Sequence, residues 1–303
     1  MMPTSTDLAR RTRRLRNVAE PIAASVFFAP EAHAAYAERG FPNPGGEEFG
    51  IAKFDWDVYF VSRAACMGQV HGDVAAAVFG VFPHPLVSNA IAHGWTLTNP
   101  TDILAARQRG AIAALERLLG GVPEGTDRAV ALLKRGLDAA HTSGKPVFSG
   151  LRTIGWTGTP LGDLWRACDM YREHRGDAHV VAWAAHGLNG CEACILNDLR
   201  QGLDLGSYVR TRGWTAEEVG AAIDALRARG WVVGNALSEA GREGREVIEV
   251  ATDIQQVSIV NAIGDDFNEL VERLTPWRDA IVAGRGYPGR GYIEQAGKRV
   301  QHT

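Results

Sequence analysis

The chain has 303 residues, 46% of them hydrophobic, enough to bury one large core or two ordinary ones. A net charge of −3 and an isoelectric point near 6.3 give no overall signal for a polyanionic partner. No apolar run is long enough to span a bilayer, no apolar stretch follows the N-terminal arginines as a secretory leader requires, and four cysteines in a chain this size make no disulfide framework, so a cytoplasmic protein is expected.

Residues 1–16, with Arg10, Arg11, Arg13, Arg14 and Arg16, read as a basic, mobile arm. Residues 18–40 read as helical, with Pro30 imposing a kink or a division into two helices. A loop at 41–46 and a helix from Phe54 to Ala65 follow, then a short helix within 70–81 and a Pro-bounded turn at 82–85. Thr101 is the expected cap of a long helix ending at Leu119-Gly120-Gly121, and a further helix covers 126–140. The stretch from Ser143 to Pro160 reads as a loop linking two halves.

The second half reads as a helix over 161–173, a break at Arg175-Gly176-Asp177, and helices over 178–186 and 191–201. After a short segment at 205–212 comes a helix opened by Thr215-Ala216-Glu217-Glu218, a capping-box pattern. Gly234-Asn235 is a hairpin-type turn, Ser238 caps a helix reaching about Ile259, and a last helix covers 264–282. The Gly-rich stretch from 283 to 303 reads as a disordered tail.

Residues 68–78 match 213–223 without a gap. In each copy a Gly ends one segment and an acidic residue opens a helix. Apolar residues then follow at helical spacing, Val74, Ala77, Val78 and Val81 in one copy and Val219, Ala222, Ile223 and Leu226 in the other. The fold expected from this is mainly α: two tandem winged-helix-like modules with small β-wings, at 17–121 and 161–282, joined by a linker at 122–160.

Thr211 to Arg245 carries a recognisable pattern, with Leu226-Arg227-Ala228-Arg229-Gly230 closing a helix and Leu237-Ser238-Glu239-Ala240-Gly241-Arg242 following a hairpin. This resembles the winged-helix domain of the MarR-type transcription regulators. The wider chain resembles an actinobacterial family of helix-turn-helix proteins of similar length, through Phe28-Ala29-Pro30-Glu31, Tyr59 to Ala65, Arg172 to His179 and the segment to Trp231. The resemblance implies a fold and no settled activity. A recognition helix needs basic or amide side chains on its exposed face. Here Glu217, Glu218 and Asp224 would repel a polyanion, so DNA is a disfavoured partner.

The densest polar run, Tyr171 to His179, offers two imidazoles around a carboxylate, which can exchange protons or anchor a polar ligand. Its plainer reading is a helix junction with Asp177 as an N-cap. Tyr59 and Arg63, four apart, share a helix face, and Glu31 lies at the Pro30 kink. The tryptophans of the second half, Trp156, Trp165, Trp183, Trp214 and Trp231, serve core packing or line an aromatic cavity. Cys191-x-x-Cys194 lacks a second ligand pair, so no metal is expected, and no cofactor motif is present.

The leading expectation is a protein that senses or sequesters a small organic, aromatic ligand between its modules, at Glu31, Tyr59, Arg63, His174, His179 and Trp183. One alternative is an enzyme using His174, Asp177 and His179 for acid–base chemistry. The other is a DNA-binding regulator. A homodimer is compatible with each.

Overall fold

The basic N-terminal segment is a packed helix. In the computed structural model, which describes residues 5–301, α1 (Ser5–Ala24) buries Leu15, Val18, Ala19, Ile22 and Ala23, a stripe with the 3,4-spacing of one helix face. Its arginines are anchored rather than mobile. Arg11 donates to the Gly264 carbonyl, Arg13 to Asp253 and Glu246, and Arg14 to Asn268. The expected arm is thereby corrected. Its arginines hid an apolar stripe that starts at Leu15, and residues 1–4 of it lie outside the described residues.

Pro30 starts a helix instead of bending one: α2 (Pro30–Ala37) carries it in the first turn, where the missing N–H costs nothing. A small hairpin, β1 (Glu47–Glu48) and β2 (Ile51–Ala52), pairs Glu47 with Ala52. Next come α3 (Trp56–Ala64), α4 (Gly72–Val78), α5 (His84–Leu97), α6 (Pro100–Leu119), α7 (Thr126–Asp138) and α8 (Pro146–Ile154). Neither α5 nor α8 is expected from the sequence. Both begin at a proline that reads as loop punctuation but sits at the helix start. The cap of α6 is Asn99, whose side chain accepts from the Asp102 N–H, and not Thr101.

α9 (Pro160–Ala185) runs unbroken through Arg175-Gly176-Asp177, against the expected break. Most of its residues are buried, and packing on several sides outweighs the ~1 kcal/mol that one interior Gly costs. Asp177 therefore does not cap its own helix. Its carboxylate instead accepts from the Phe148 N–H in the first turn of α8, at 3.1 Å.

The second half continues with α10 (Gly190–Arg200), a 3₁₀ turn at Tyr208–Arg212, α11 (Ala216–Ala228), a short hairpin of β3 (Val232–Val233) and β4 (Ala236–Leu237), and α12 (Glu239–Ile254). Thr215 and Glu218 make the capping box. The Trp231 N–H returns to the Leu226 carbonyl and the Gly230 N–H to that of Arg227, closing α11 with a Schellman motif. Ser238 caps α12. Gly241 is required there, because a Cβ on it would stand 2.0 Å from the Trp231 carbonyl. The strands pair Val232 with Leu237 and Val233 with Ala236.

The chain continues through α13 (Val257–Ile263), α14 (Phe267–Ala283) and α15 (Arg290–Gln301). The expected single helix to Ile259 is two, divided after Ile254. The expected disordered tail is corrected as well: α15 packs against the 208–212 turn and buries Ala296, with only residues 302–303 outside the described residues. Gly and Arg at 284–291 break a helix without ending order.

Burial groups the chain into two apolar clusters. The larger runs from Leu15 to Tyr171 and takes in Ile259 to Ile281 of α13 and α14. The smaller runs from Ala182 to Ile248. The boundary thus falls inside α9, later than the expected start of a second module at 161. α9 packs against α1, α6, α7, α8 and α12 and joins both clusters.

The repeat takes a different form from its gapless match. α4 has 7 residues and α11 has 13, while α5 has 14. Each half holds a short helical piece, a turn and a longer helix: α4 then α5, and the 208–212 turn then α11. Of the two, the second is followed by a short hairpin and the first by α6.

Candidate ligand-binding site

Where the two clusters meet, a cavity of about 250 Å³ opens. Its walls come from α1, α3, the end of α4 with the turn after it, the start of α8, α9, α10, the 208–212 turn and α12. α9 runs along it and presents Arg172, Glu173, Arg175, Gly176, Asp177 and His179. This is the polar run singled out in the sequence.

Of the expected site residues, Tyr59, Arg63, Asp177 and His179 line this cavity together. The shared face of Tyr59 and Arg63 is realised as a hydrogen bond, Arg63 Nη1 to the Tyr59 hydroxyl at 3.2 Å. Arg63 also grips Glu173 with both Nε and Nη2, at 2.9–3.2 Å. Burial alone would raise the Glu173 carboxyl, but Arg63 and Arg172 outweigh it and hold the group well below the usual carboxylate range.

Three expected residues lie elsewhere. Glu31 forms an ion pair with Arg117 near the surface. The Trp183 ring lies against Gly80, outside the cavity wall. His174, fully buried, packs edge-on to Phe148 with ring centroids 4.7 Å apart. Its Nε2 meets the His141 carbonyl and its Nδ1 the Gln256 side-chain amide, both at 3.1 Å. Burial pushes this imidazole down to about 4, so it is neutral and has one proton to donate. The carbonyl takes that proton. The atom placed against Nδ1 is the Gln256 carbonyl oxygen, a second acceptor; turning that amide over brings its NH₂ group, which otherwise has no partner, onto Nδ1. His174 is a satisfied core histidine and takes no part in the cavity.

His179 keeps one nitrogen on the Thr252 hydroxyl at 3.0 Å. Burial, and then the positive charge of Arg245, pushes it down to about 3. This imidazole is therefore neutral at physiological pH and poorly placed to exchange a proton there. The groups brought toward neutrality are carboxyls. Burial raises both Asp177 and Asp198 to about 7.

The remaining charged wall draws on residues outside the polar run of α9. Arg175 reaches Glu249 and Asp253, and Arg245 pairs with Glu249 at 2.6 Å. Burial would raise Glu249, but Arg245 and Arg175 hold it down to about 2. Two polar atoms in this wall stay unpartnered among the described residues: Nη1 of Arg245 and Oδ2 of Asp198. Arg16 and Arg212 also line the cavity, and neither side chain makes a hydrogen bond or ion pair among the described residues. No signal short of the fold could have found these. Arg16, Asp198, Arg212 and Arg245 come from four separate elements.

The tryptophans expected to line a cavity do not line this one. Trp165 donates to the Ala23 carbonyl in the large core, Trp214 to the Val81 carbonyl, and Trp156 is 40% exposed beneath Lys134. All four cysteines are free and buried, with burial pushing the Cys66 and Cys191 thiols up to about 12 and Cys194 to about 11. Among the described residues no group of three or more His, Cys, Asp or Glu could hold a metal ion, and no helix is long and apolar enough to cross a membrane.

A mainly helical chain with two short-helix, turn, long-helix pairs and a small hairpin behind the second has the elements of a helix-turn-helix protein. The chain belongs to a helix-turn-helix family, whose model matches residues 12–288 and so takes in every residue of the cavity. No curated protein and no solved structure matches it.

Proposed function

We propose that this protein binds a small organic molecule in the central cavity and senses it through the winged-helix segment, on a scaffold of two tandem winged-helix-like modules. The observation that carries the reading is the cavity wall itself. Leaving a buried donor or acceptor without a partner costs roughly 1–3 kcal/mol, and here Arg245 Nη1 and Asp198 Oδ2 both face a space large enough for an occupant. A polar ligand supplies the missing partners. Sensing is favoured over sequestration by position. Arg212 immediately precedes α11, and Arg245 and Glu249 follow the wing, so an occupant touches both flanks of that unit.

A thermal-shift screen of chemically diverse organic acids, amines and aromatics against the full chain tests the reading. A dose-dependent rise in melting temperature that the cavity-filling Gly176→Leu variant loses supports it. A panel that leaves the parent unmoved refutes it.

A second reading, a DNA-binding regulator, draws on family membership and on the MarR-like segment. The exposed face of α11 weighs against base reading, since it presents Glu217, Glu218, Ala221 and Asp224. Its one basic residue, Arg227, is engaged with Asp224 and the Gly234 carbonyl. A gel-shift series against the DNA upstream of its own gene at physiological salt is expected to show weak binding at most. Tight binding lost in Arg227→Ala restores the regulator reading.

A further inference from the structure

The central cavity does not end at Tyr59. A second chamber of about 190 Å³ adjoins it, and Glu20, Tyr59, Phe82, Arg172 and Arg212 are walls of both. The two differ in chemistry. The central chamber is lined mostly by ionisable groups, with Val78, Phe79, Val147 and Val180 among its apolar walls. Nine of the side chains around the second are Phe, Tyr or Trp, among them Phe27, Phe28, Trp56, Tyr208 and Tyr287. Rings of this kind meet edge to face around it, as Phe28 does with Tyr287 at 6.3 Å between centroids. Such a lining favours a flat ring over an aliphatic chain. Together the chambers have the size of an ordinary small-molecule pocket.

The two arginines at the junction are not equivalent. Arg172 is occupied, donating to Glu20 at 2.9 Å and pairing with Glu173 at 2.5 Å. Arg212 has no carboxylate within ion-pair distance among the described residues; its guanidinium lies 5.4 Å from the centroid of the Phe82 ring. Asp198 also lines the central chamber. It is 2% exposed and its Oδ2 has no partner, although its charge and that of Arg212 are close enough to influence each other. An unpaired guanidinium near an unpartnered buried carboxyl oxygen is the complement of a molecule carrying an acceptor pair and a donor side by side.

We propose that the two chambers form one site for an aromatic acid. The ring lies in the aromatic chamber, the carboxylate rests on Arg212, and an amino or hydroxyl group beside that carboxylate donates to Asp198. This rests on the reading of the central cavity as a ligand site. Arg212 thereby selects for the acid, the aromatic chamber for the ring, and Asp198 for the substituent next to the carboxylate.

Calorimetric titration of the full chain with L-phenylalanine, phenyllactate, 3-phenylpropionate, phenethylamine and L-leucine tests each element. Phenylalanine or phenyllactate is expected to bind, and which of them does tells an amino from a hydroxyl group. 3-Phenylpropionate, without the donor, binds at least tenfold more weakly, and phenethylamine and leucine do not bind detectably. Arg212→Gln weakens every acid at least tenfold. Asp198→Asn, an isosteric change, levels the difference between 3-phenylpropionate and its substituted relative, which keeps the test decisive if Arg212→Gln fails to fold. Phenethylamine or leucine binding as well as the aromatic acids overturns the proposal, as does unchanged acid binding in a folded Arg212→Gln. If none of these probes binds while a compound from the broader screen shows Gly176→Leu-sensitive binding, this inference falls and the cavity reading stands. If nothing in either set binds, both fall.

Discussion

Gly176 offers the sharpest handle on the cavity. It sits in the interior of α9 with no positive φ, so any residue fits its backbone. A Cβ built on it meets one neighbour, Glu173 Oε2, at 3.7 Å, an ordinary contact, and otherwise points into the open space it lines. Gly176→Ala should therefore stabilise the fold by about 1 kcal/mol, the helix-propensity difference. In a chain of this size that raises the melting temperature by roughly 2 °C. Gly176→Leu should also fold, since leucine is a good helix former and its side chain enters existing space, but it occupies the volume a ligand needs. A ligand at one hundred times its dissociation constant adds about 2.7 kcal/mol to stability. That increment should appear in the parent and in Gly176→Ala and be absent from Gly176→Leu. Denaturant melts with and without ligand measure all three. A full ligand increment in a folded Gly176→Leu would place the binding site elsewhere. A destabilised Gly176→Ala would show that the glycine is needed for close packing, and the open cavity would be refuted.

Three further outcomes follow from the buried charges. Asp169 is fully buried and grips Arg107 through two hydrogen bonds at 2.7 and 3.0 Å, so Asp169→Ala, which strands that arginine, should cost about 3–5 kcal/mol in a chemical melt; a loss under 1 kcal/mol would mean that water reaches the pair. Asp198 has a folded-state pKa near 7, above its unfolded value, so it binds its proton more tightly when folded and destabilises the native state as pH rises from about 4 through 7. Asp198→Asn should match the parent near pH 4 and exceed it at pH 8, by on the order of 4 kcal/mol; equal pH profiles would refute the buried carboxyl. His174 and His179 are shifted the opposite way, so their neutral forms support the fold above about pH 6.5 and that support is lost as pH falls toward 4 and 3. Imidazole NMR signals of these two should stay in the neutral form down to pH 5, and a midpoint near 6.5 for either would contradict its burial.

The local elements whose signals lie in adjacent residues were legible. The capping box at Thr215, the hairpin at Gly234-Asn235, the Ser238 cap and the division at Pro30 all appear where their residue types require them. Misreadings occurred where a local signal has two physical meanings. Proline at Pro85 and Pro146 marks either a loop or a helix start, and only packing decides. Gly176 looked like a break because an interior Gly weakens a helix in isolation, but α9 is held by neighbours on several sides. The arginines of α1 looked solvated because their partners, Asp253 and Glu246, stand far along the chain.

The same distinction explains the site. Tyr59 and Arg63 could be paired from their spacing, and the Arg172–His179 run could be recognised as unusual. What that run does depends on which side each residue faces. On one helix, His174 turns into the core and finds Gln256, while Arg175, Asp177 and His179 turn toward the cavity. Charge on a helix ordinarily means a solvated face, and by that rule α9 should be a surface helix. Several of its charges are instead neutralised by residues on other helices, Arg107 for Asp169, Arg63 for Glu173, Glu249 and Asp253 for Arg175, while Arg166 donates to the Gly155 carbonyl and Gln108. Each such pair needs both members, because a lone buried charge costs more than the pair returns. Against that background of matched partners, the groups left over stand out: Arg16 and Arg212 without carboxylates, Asp198 and Asp177 without cations, all opening on one space. Four groups without an opposite charge around one cavity are the arrangement expected of a binding site. The substitutions that discriminate are therefore at the unmatched residues rather than at the paired ones, whose loss would unfold the protein whatever it binds.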